Sequence, residues 1–350
     1  MPWRDRPTRY RVWISEIMLQ QTQVATVIPY FTRFVQRFPN VRRLAAADPA
    51  ALLQSWEGLG YYTRVRNLHK AARHVIDNRA GRLPACFAEW LALPGVGRYT
   101  AAAIASIADG EAVPAVDGNV LRVFARFWGC DDDVALAGTR DRFFARLQPL
   151  LATAPPSQFN QAVMEVGALL CRPRRPSCDR CPLAGDCVAQ RDGLTAALPV
   201  KSRAARGPRH EVGVAFVQRR NRTLLTQRPA ERLLGSLWEL PGMRREGRES
   251  LRATAHRAAA SVCRPTDAGS ATARPGRATA RDRELLRLTH SFSHFSETMH
   301  VFAVAPRPGA RAAPGAGWFT PAEVAALPCT TAARKILAGV AHAPHHRRSA

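Results

Sequence analysis

The chain has 350 residues, with 51 Lys plus Arg against 27 Asp plus Glu and a formal net charge of +24. That length accommodates two domains with separate cores, and the charge favours a polyanionic partner, nucleic acid before an anionic membrane. An Ala- and Arg-rich composition accounts for part of the excess. No apolar run reaches membrane-spanning length, and the basic start, Met1 to Arg11, has no apolar signal core. A cytoplasmic location is the default expectation, with no membrane partner.

Residues Tyr10 to Phe38 place Val12, Trp13, Ile17, Val24, Val27, Ile28, Phe31 and Phe34 at helical spacing. Pro29 and the polar run Gln20 to Gln23 predict two helices with a break near Thr22. Asp48 to Gln54 reads as a capped helix start. Gly58-Leu59-Gly60-Tyr61-Tyr62 is a turn, and Arg64 to Asn78 a basic helix. Phe87 to Leu91 leads into Leu93-Pro94-Gly95-Val96-Gly97, a tight turn opening an alanine-rich helix. Its glycines let the backbone approach another molecule closely, and the N–H groups at the helix start suit a phosphate. A short extended piece then delivers Asp117, Gly118 and Asn119. Val120 to Trp128, Thr139 to Leu151 and Ser157 to Leu170 are further helices. This half carries almost no strand signal and is predicted to be all-α.

Four of the eight cysteines lie between Cys171 and Cys187, and Cys86, Cys130, Cys263 and Cys329 are scattered. Clustering without a secretion signal points to metal rather than disulfides. The spacing is C-x6-C-x2-C-x5-C, on a loop stiffened by prolines 173, 176 and 182. Zinc sites usually come as paired C-x2-C knuckles, whereas an iron–sulfur cube tolerates one long and one intermediate gap. Cys171, Cys178, Cys181 and Cys187 are therefore expected to hold a [4Fe–4S] cluster, with zinc the minority reading. Arg172, Arg174, Arg175 and Arg180 would make the loop a rigid basic knob, so the cluster's role is read as structural first.

Beyond Cys187 the character changes. Leu198 to His210 is basic and punctuated by Pro and Gly, which suits a linker. Val212 to Gln218 and Thr223 to Gln227 read as two strands joined by a short polar turn, and Met299 to Ala305 as another. Residues 246 to 283 read as part helix and part loose loop. Pro321 to Leu327 and Ala332 to Val340 look helical. The second half is predicted to be mixed α/β.

The stretch Ser15-Glu16-Ile17-Met18-Leu19-Gln20-Gln21-Thr22, the Leu93–Gly97 turn, Val116-Asp117-Gly118-Asn119 and the cysteine loop together resemble the MutY-type adenine DNA glycosylases. These belong to the helix-hairpin-helix superfamily that includes endonuclease III. The resemblance covers nearly the whole chain. It implies an all-α glycosylase domain over 1–195 with the cluster loop at 171–187, a linker at 196–210, an α/β Nudix-like domain over 211–341, and a disordered tail at 342–350. It also implies a monomeric, nucleoid-associated repair enzyme of bacterial type acting on duplex DNA with adenine opposite 8-oxoguanine or guanine.

Glu16 lies among Trp13, Ile14, Ile17, Met18 and Leu19, surroundings that raise a carboxyl pKa. Cutting the bond from sugar to adenine needs a proton on the departing base and stabilisation of a cation-like sugar, a task for two carboxyl groups. By resemblance, Glu16 protonates adenine, Asp117 stabilises or transiently bonds the sugar, and Tyr99 and Asn119 position them. Superfamily members that also cut the strand carry a lysine where Tyr99 stands, and a phenol cannot form a Schiff base. The expectation is a monofunctional enzyme. The adenine must be flipped out; by resemblance Gln21 and Tyr61 are expected in the base stack, Thr22 among the DNA contacts, Trp3 and Arg4 near the lesion, and Leu93, Gly95, Val96 and Gly97 on the phosphates.

Leu237-Trp238-Glu239-Leu240-Pro241-Gly242 resembles the Nudix-like domain of the same enzymes. The stretch Glu249 to Val262 has one Glu followed by Arg and Ala, short of the glutamates that a nucleotide hydrolase needs for its metal. The implied role is recognition of 8-oxoguanine by Phe292, Ser293 and His294. Two departures are visible: the chain begins at Met1-Pro2-Trp3, where the family has a further helix, and Met243 replaces a usual glycine. An endonuclease III-like glycosylase/lyase and a non-catalytic damage-binding protein are the alternative readings.

Overall fold

A computed structural model describes residues 1–202, 207–264, 284–292, 294–306 and 309–342. Its helices up to residue 191 are α1 (Arg9–Leu19), α2 (Val24–Arg37), α3 (Val41–Ala45), α4 (Pro49–Ser55), α5 (Thr63–Arg79), α6 (Phe87–Leu91), α7 (Arg98–Asp109), α8 (Gly118–Trp128), α9 (Ala137–Leu147), α10 (Pro156–Glu165) and α11 (Val188–Arg191). The expected break near Thr22 is there. Thr8 caps α1, and the chain leaves the helix through Gln21, whose φ of +57° is left-handed. The helix expected through Leu151 instead tightens to a 3₁₀ turn at Gln148–Ala152, because Pro149 offers no N–H to an α-helix. Likewise α10 runs into a π-helical turn, Val166–Leu170, which delivers Cys171.

The chain forms two compact units, Met1–Pro49 with Thr63–Ala204, and Ala50–Tyr62 with Ala205–Ala350. The first unit packs α1 on α7. Ala101 to Ala105 are wholly buried, so small side chains let the helices close, and Trp13 meets Trp90 at 5.5 Å. The stretch expected to begin a linker belongs here. Leu198 is buried and its carbonyl accepts from Arg126 Nε at 2.8 Å, while Val200 O accepts from Val134 N at 3.0 Å.

The second unit contains β1 (Arg209–Phe216), β2 (Gln218–Arg219), β3 (Arg222–Gln227), β4 (Trp238–Glu239), β5 (Gly242–Arg244), α12 (Leu251–Val262), β6 (Cys263–Arg264), β7 (Glu284–Ser291), β8 (Ser296–Ala303), β9 (Arg311–Ala312), β10 (Ala316–Phe319), α13 (Pro321–Ala326) and α14 (Thr331–His342). One sheet has the order β5-β1-β8-β7, with β1 parallel to β8; another runs β10-β3-β2 with β4 also on β3. The two strands expected over Val212–Gln218 and Thr223–Gln227 are present, the first of them divided: β1 enters one sheet, and Gln218–Arg219 (β2) pairs with β3 across the short turn. Along β1 the side chains alternate between layers. Val212 and Val214 pack with Ile336 and Val340, and Ala215 packs with Ala255 and Phe302. Residues 265–283 and the tail 343–350 lie outside the described residues, so the loop and tail expectations there have no structural counterpart.

Candidate functional site

Glu16 sits on α1, inside its apolar face, and is 5% exposed. The Leu93–Gly97 turn ends where Gly97 N-caps α7, which brings Tyr99 into the first turn of that helix. The Tyr99 hydroxyl donates to Glu16 Oε2 at 2.9 Å. Asp117 is the N-cap of α8: Oδ1 accepts from the N–H groups of Asn119 at 2.9 Å and Val120 at 2.8 Å, and Oδ2 accepts from Asn119 Nδ2 at 2.9 Å. All four lie on one cavity of about 410 Å³. Residues from three separate chain segments are thus gathered at one place.

Electrostatics distinguish the two carboxyls. Burial pushes Glu16 up to about 7, the Tyr99 hydrogen bond pulls down, the Asp117 charge pushes up, and Arg4 pulls down. Burial also raises Asp117, but hydrogen bonds from Val120 and Asn119 and the charge of Arg122 oppose the rise. Tyr99 is raised by burial and by both carboxyls, so its phenol stays protonated and remains a donor.

Several cavity residues carry no signal in the motifs. Gln161, Met164, Glu165 and Ala168 line it from α10 and the π turn. Their i, i+3, i+4, i+7 spacing marks one helical face, but a polar residue on such a face reads as solvent-facing until its neighbours are known. Glu165 pairs with Arg4. Arg122 is a second omission. It donates to Asn119 Oδ1 at 2.8 Å, Gly167 O at 2.7 Å and Cys171 O at 2.7 Å, tying the Asp117–Asn119 pair to the cysteine loop.

The remaining candidates distribute unevenly. Gln21 is exposed, and Thr22 lines the cavity. Tyr61 is 46% exposed with a left-handed φ of +48°, and falls in the second unit. Trp3, expected near the DNA lesion, is 4% exposed and lies edge-on to Phe31 at 5.2 Å on the cavity wall. Leu93 and Val96 are buried, so any phosphate contact from this turn comes from its backbone. Gly95 has φ +76°, and a Cβ there would lie 2.5 Å from Asn67 Cβ. In the second unit Phe292 stacks on Phe295 at 4.4 Å and His294 is exposed, while Ser293 lies outside the described residues. Glu249 is engaged by Arg257 at 3.0 Å and by Thr254 at 3.0 Å, so that carboxylate is already committed to an ion pair and a hydroxyl.

All four clustered cysteines are free thiols lining a single pocket with Arg126, whose NH1 donates to Cys171 Sγ at 3.3 Å. Among the described residues no three His, Cys, Asp or Glu groups converge on one metal-ion position. A ring of four thiols around a shared pocket fits a multi-iron cube, which takes one ligand per corner. The four loop arginines are exposed.

The profile described as HhH-GPD superfamily base excision DNA repair protein matches residues 14–149, and that of the NUDIX domain matches residues 213–339. The adenine DNA glycosylase of Mus musculus is 35% identical, over 96% of this chain and 74% of its own length. That of Homo sapiens is 35% identical, over 96% and 70%. The one from Buchnera aphidicola subsp. Schizaphis graminum is 37% identical, over 58% of each. With the helical glycosylase fold and a Nudix-like unit both in place, the chain belongs to the adenine DNA glycosylase family.

Proposed function

We propose that this protein is a base-excision glycosylase that flips adenine out of duplex DNA opposite 8-oxoguanine or guanine and hydrolyses its bond to the sugar. The observation that carries the reading is a buried Glu16, its carboxyl pushed up to about 7 by desolvation, sharing with Asp117 a cavity large enough for one base. Protonated Glu16 gives its proton to a ring nitrogen of the departing purine as the bond at the sugar C1′ breaks and its electron pair leaves with the base. Asp117, held by three donors, faces the positive charge left on the sugar. Water adds at C1′, and its proton restores Glu16. Tyr99 and Asn119 keep the two carboxyls in place.

In the strand-cutting branch a lysine side chain forms the Schiff base; Tyr99 stands in its place, and the chain's three lysines, at 70, 201 and 335, do not line the cavity. The expected product is an intact strand with an abasic site. Cys171, Cys178, Cys181 and Cys187 would hold a [4Fe–4S] cluster that stiffens the arginine-bearing loop against the phosphate backbone. Gly95, Gly97, Gln21 and Tyr61 engage the DNA, and Phe292, Ser293 and His294 read the damaged guanine. The functional unit is a monomer acting at the nucleoid.

The deciding experiment is adenine release from duplexes carrying A opposite 8-oxoguanine, G, C or T, with and without alkali. Breaks that need alkali and occur with the first one or two duplexes support the proposal. Alkali-independent breaks, or no release by the unmodified protein, refute it. Iron, sulfide and visible absorption test the cluster.

A further inference from the structure

The turn that presents Tyr61 is held from the C-terminal end of the chain. Gly58, Gly60 and Tyr61 all have left-handed φ, of +98°, +70° and +48°. A tyrosine reaches that region only when its surroundings impose it. Leu59 and Tyr62 are buried on either side, and the Trp56 indole N–H donates to Gly60 O at 3.2 Å. Glu57 adds the long-range tie. Its carboxylate accepts from Arg334 Nε at 2.5 Å and NH2 at 3.2 Å. The other donors of Arg334 close the carbonyl end of α13, reaching Val324 O at 2.9 Å, Leu327 O at 2.7 Å and Ala325 O at 3.3 Å. Gln54 joins them through Ala326 O at 3.3 Å. Residues 50–62 accordingly fall in the same compact unit as α13 and α14.

We propose that the Arg334–Glu57 pair is a positioning device for base flipping. It fixes the Gly58–Tyr62 turn so that Tyr61 is presented to the base stack, and so ties that step to the Nudix-like unit. The inference rests on the reading of Tyr61 as the inserted residue. Isolated surface ion pairs contribute little, but this one is two-pronged and its guanidinium is filled by three backbone carbonyls. A lysine has neither the planar fork nor the donors to replace it.

The test uses the full chain with Arg334→Ala, Arg334→Lys, Glu57→Gln, Tyr61→Ala and the Arg334→Ala/Tyr61→Ala double variant. The duplex carries 2-aminopurine opposite 8-oxoguanine, and its fluorescence rise reports unstacking. Each single variant is expected to slow that rise on the order of tenfold with unchanged visible absorption, and the double variant is no slower than Tyr61→Ala alone. Losses that multiply in the double variant, or a wild-type rate with Arg334→Lys, overturn the clamp. A wild-type rate with Tyr61→Ala overturns the insertion reading beneath it. Where Arg334→Ala does not fold, Glu57→Gln paired with Tyr61→Ala gives the same comparison.

Discussion

Replacing Tyr99 by Phe should move the alkaline limb of adenine release upward. On the proposed mechanism Glu16 works only while protonated, and burial pushes its carboxyl up to about 7. The Tyr99 hydroxyl, at 2.9 Å from Oε2, favours the carboxylate and pulls that value down. Phenylalanine keeps the ring and deletes only the donor. A hydrogen bond to a charged acceptor contributes about 1.5–3 kcal/mol and a pH unit corresponds to about 1.4 kcal/mol, so the limb should rise by roughly one pH unit. The sign follows from which form gains: without the phenol the carboxylate is poorer, the proton is held to higher pH, and the rate stays on its plateau further into alkali. The assay is single-turnover release from a saturating A:8-oxoG duplex between about pH 5 and about pH 9. Glu16→Gln serves as the reference, with a rate lower by about 10²–10⁴-fold and no limb of this origin. A limb that stays put or moves down in Tyr99→Phe would falsify the assignment of Glu16 as the titrating acid.

The same burial makes Glu16 a pH-dependent stability cost. Its native pKa of about 7 lies above its ordinary 4.5, so the native state holds the proton more tightly and stability is lost as pH rises between those values. Glu16→Gln should therefore be more stable than the parent above pH 7, by about 3 kcal/mol, and equal Tm values at about pH 8 would contradict this. Two glycine variants separate fold from DNA grip. Gly95→Ala, with its left-handed φ and a Cβ 2.5 Å from Asn67, should lose about 1–2 kcal/mol of stability and also DNA affinity. Gly97→Ala, with open space around its Cβ, should keep its Tm and lose affinity alone, measured by duplex titration. Arg122→Gln should slow release about tenfold by loosening Asn119 and Asp117, with duplex Kd nearly unchanged; an effect confined to Kd would remove its positioning role.

The candidate site was legible in the sequence where one short motif carries both the residue and its local frame. Asp117 is an N-cap defined by its next three residues, and Tyr99 follows its turn directly. Glu16 was legible from its apolar neighbours, which supply the desolvation. Arg122 and the Gln161–Ala168 face were not, because their meaning lies in partners 40 or more residues away in sequence: Arg122 reaches Gly167 and Cys171. The division of the Val212–Gln218 stretch between two sheets was not legible for the same reason: β1 is claimed by β8, about 87 positions on, through an eight-residue parallel register. Trp3 was placed near the lesion by resemblance alone, and its packing on Phe31, a residue 28 positions on, is what sets it in the cavity wall.

The difference between the carboxyls follows from what each accepts as well as from how deep each lies. Glu16 is buried and Asp117 half-buried, and both are pushed up by desolvation. Glu16 accepts one hydrogen bond, from a neutral phenol, and stands at about 7. Asp117 accepts three, two of them backbone N–H groups at a helix N-terminus, with the Arg122 guanidinium behind Asn119. Helix-end donors favour the anion, so the Asp117 donors and Arg122 oppose the rise that burial causes, while Glu16, pushed up to about 7, keeps a substantial protonated fraction. Breaking a sugar–purine bond needs that asymmetry: a proton available on the side of the base and a fixed negative charge on the side of the sugar. Swapping the two residue types would keep both carboxyls but put the shorter one beside the phenol and the longer one off the helix cap. Glu16→Asp with Asp117→Glu should therefore lose most of the activity even though the net charge of the site is unchanged.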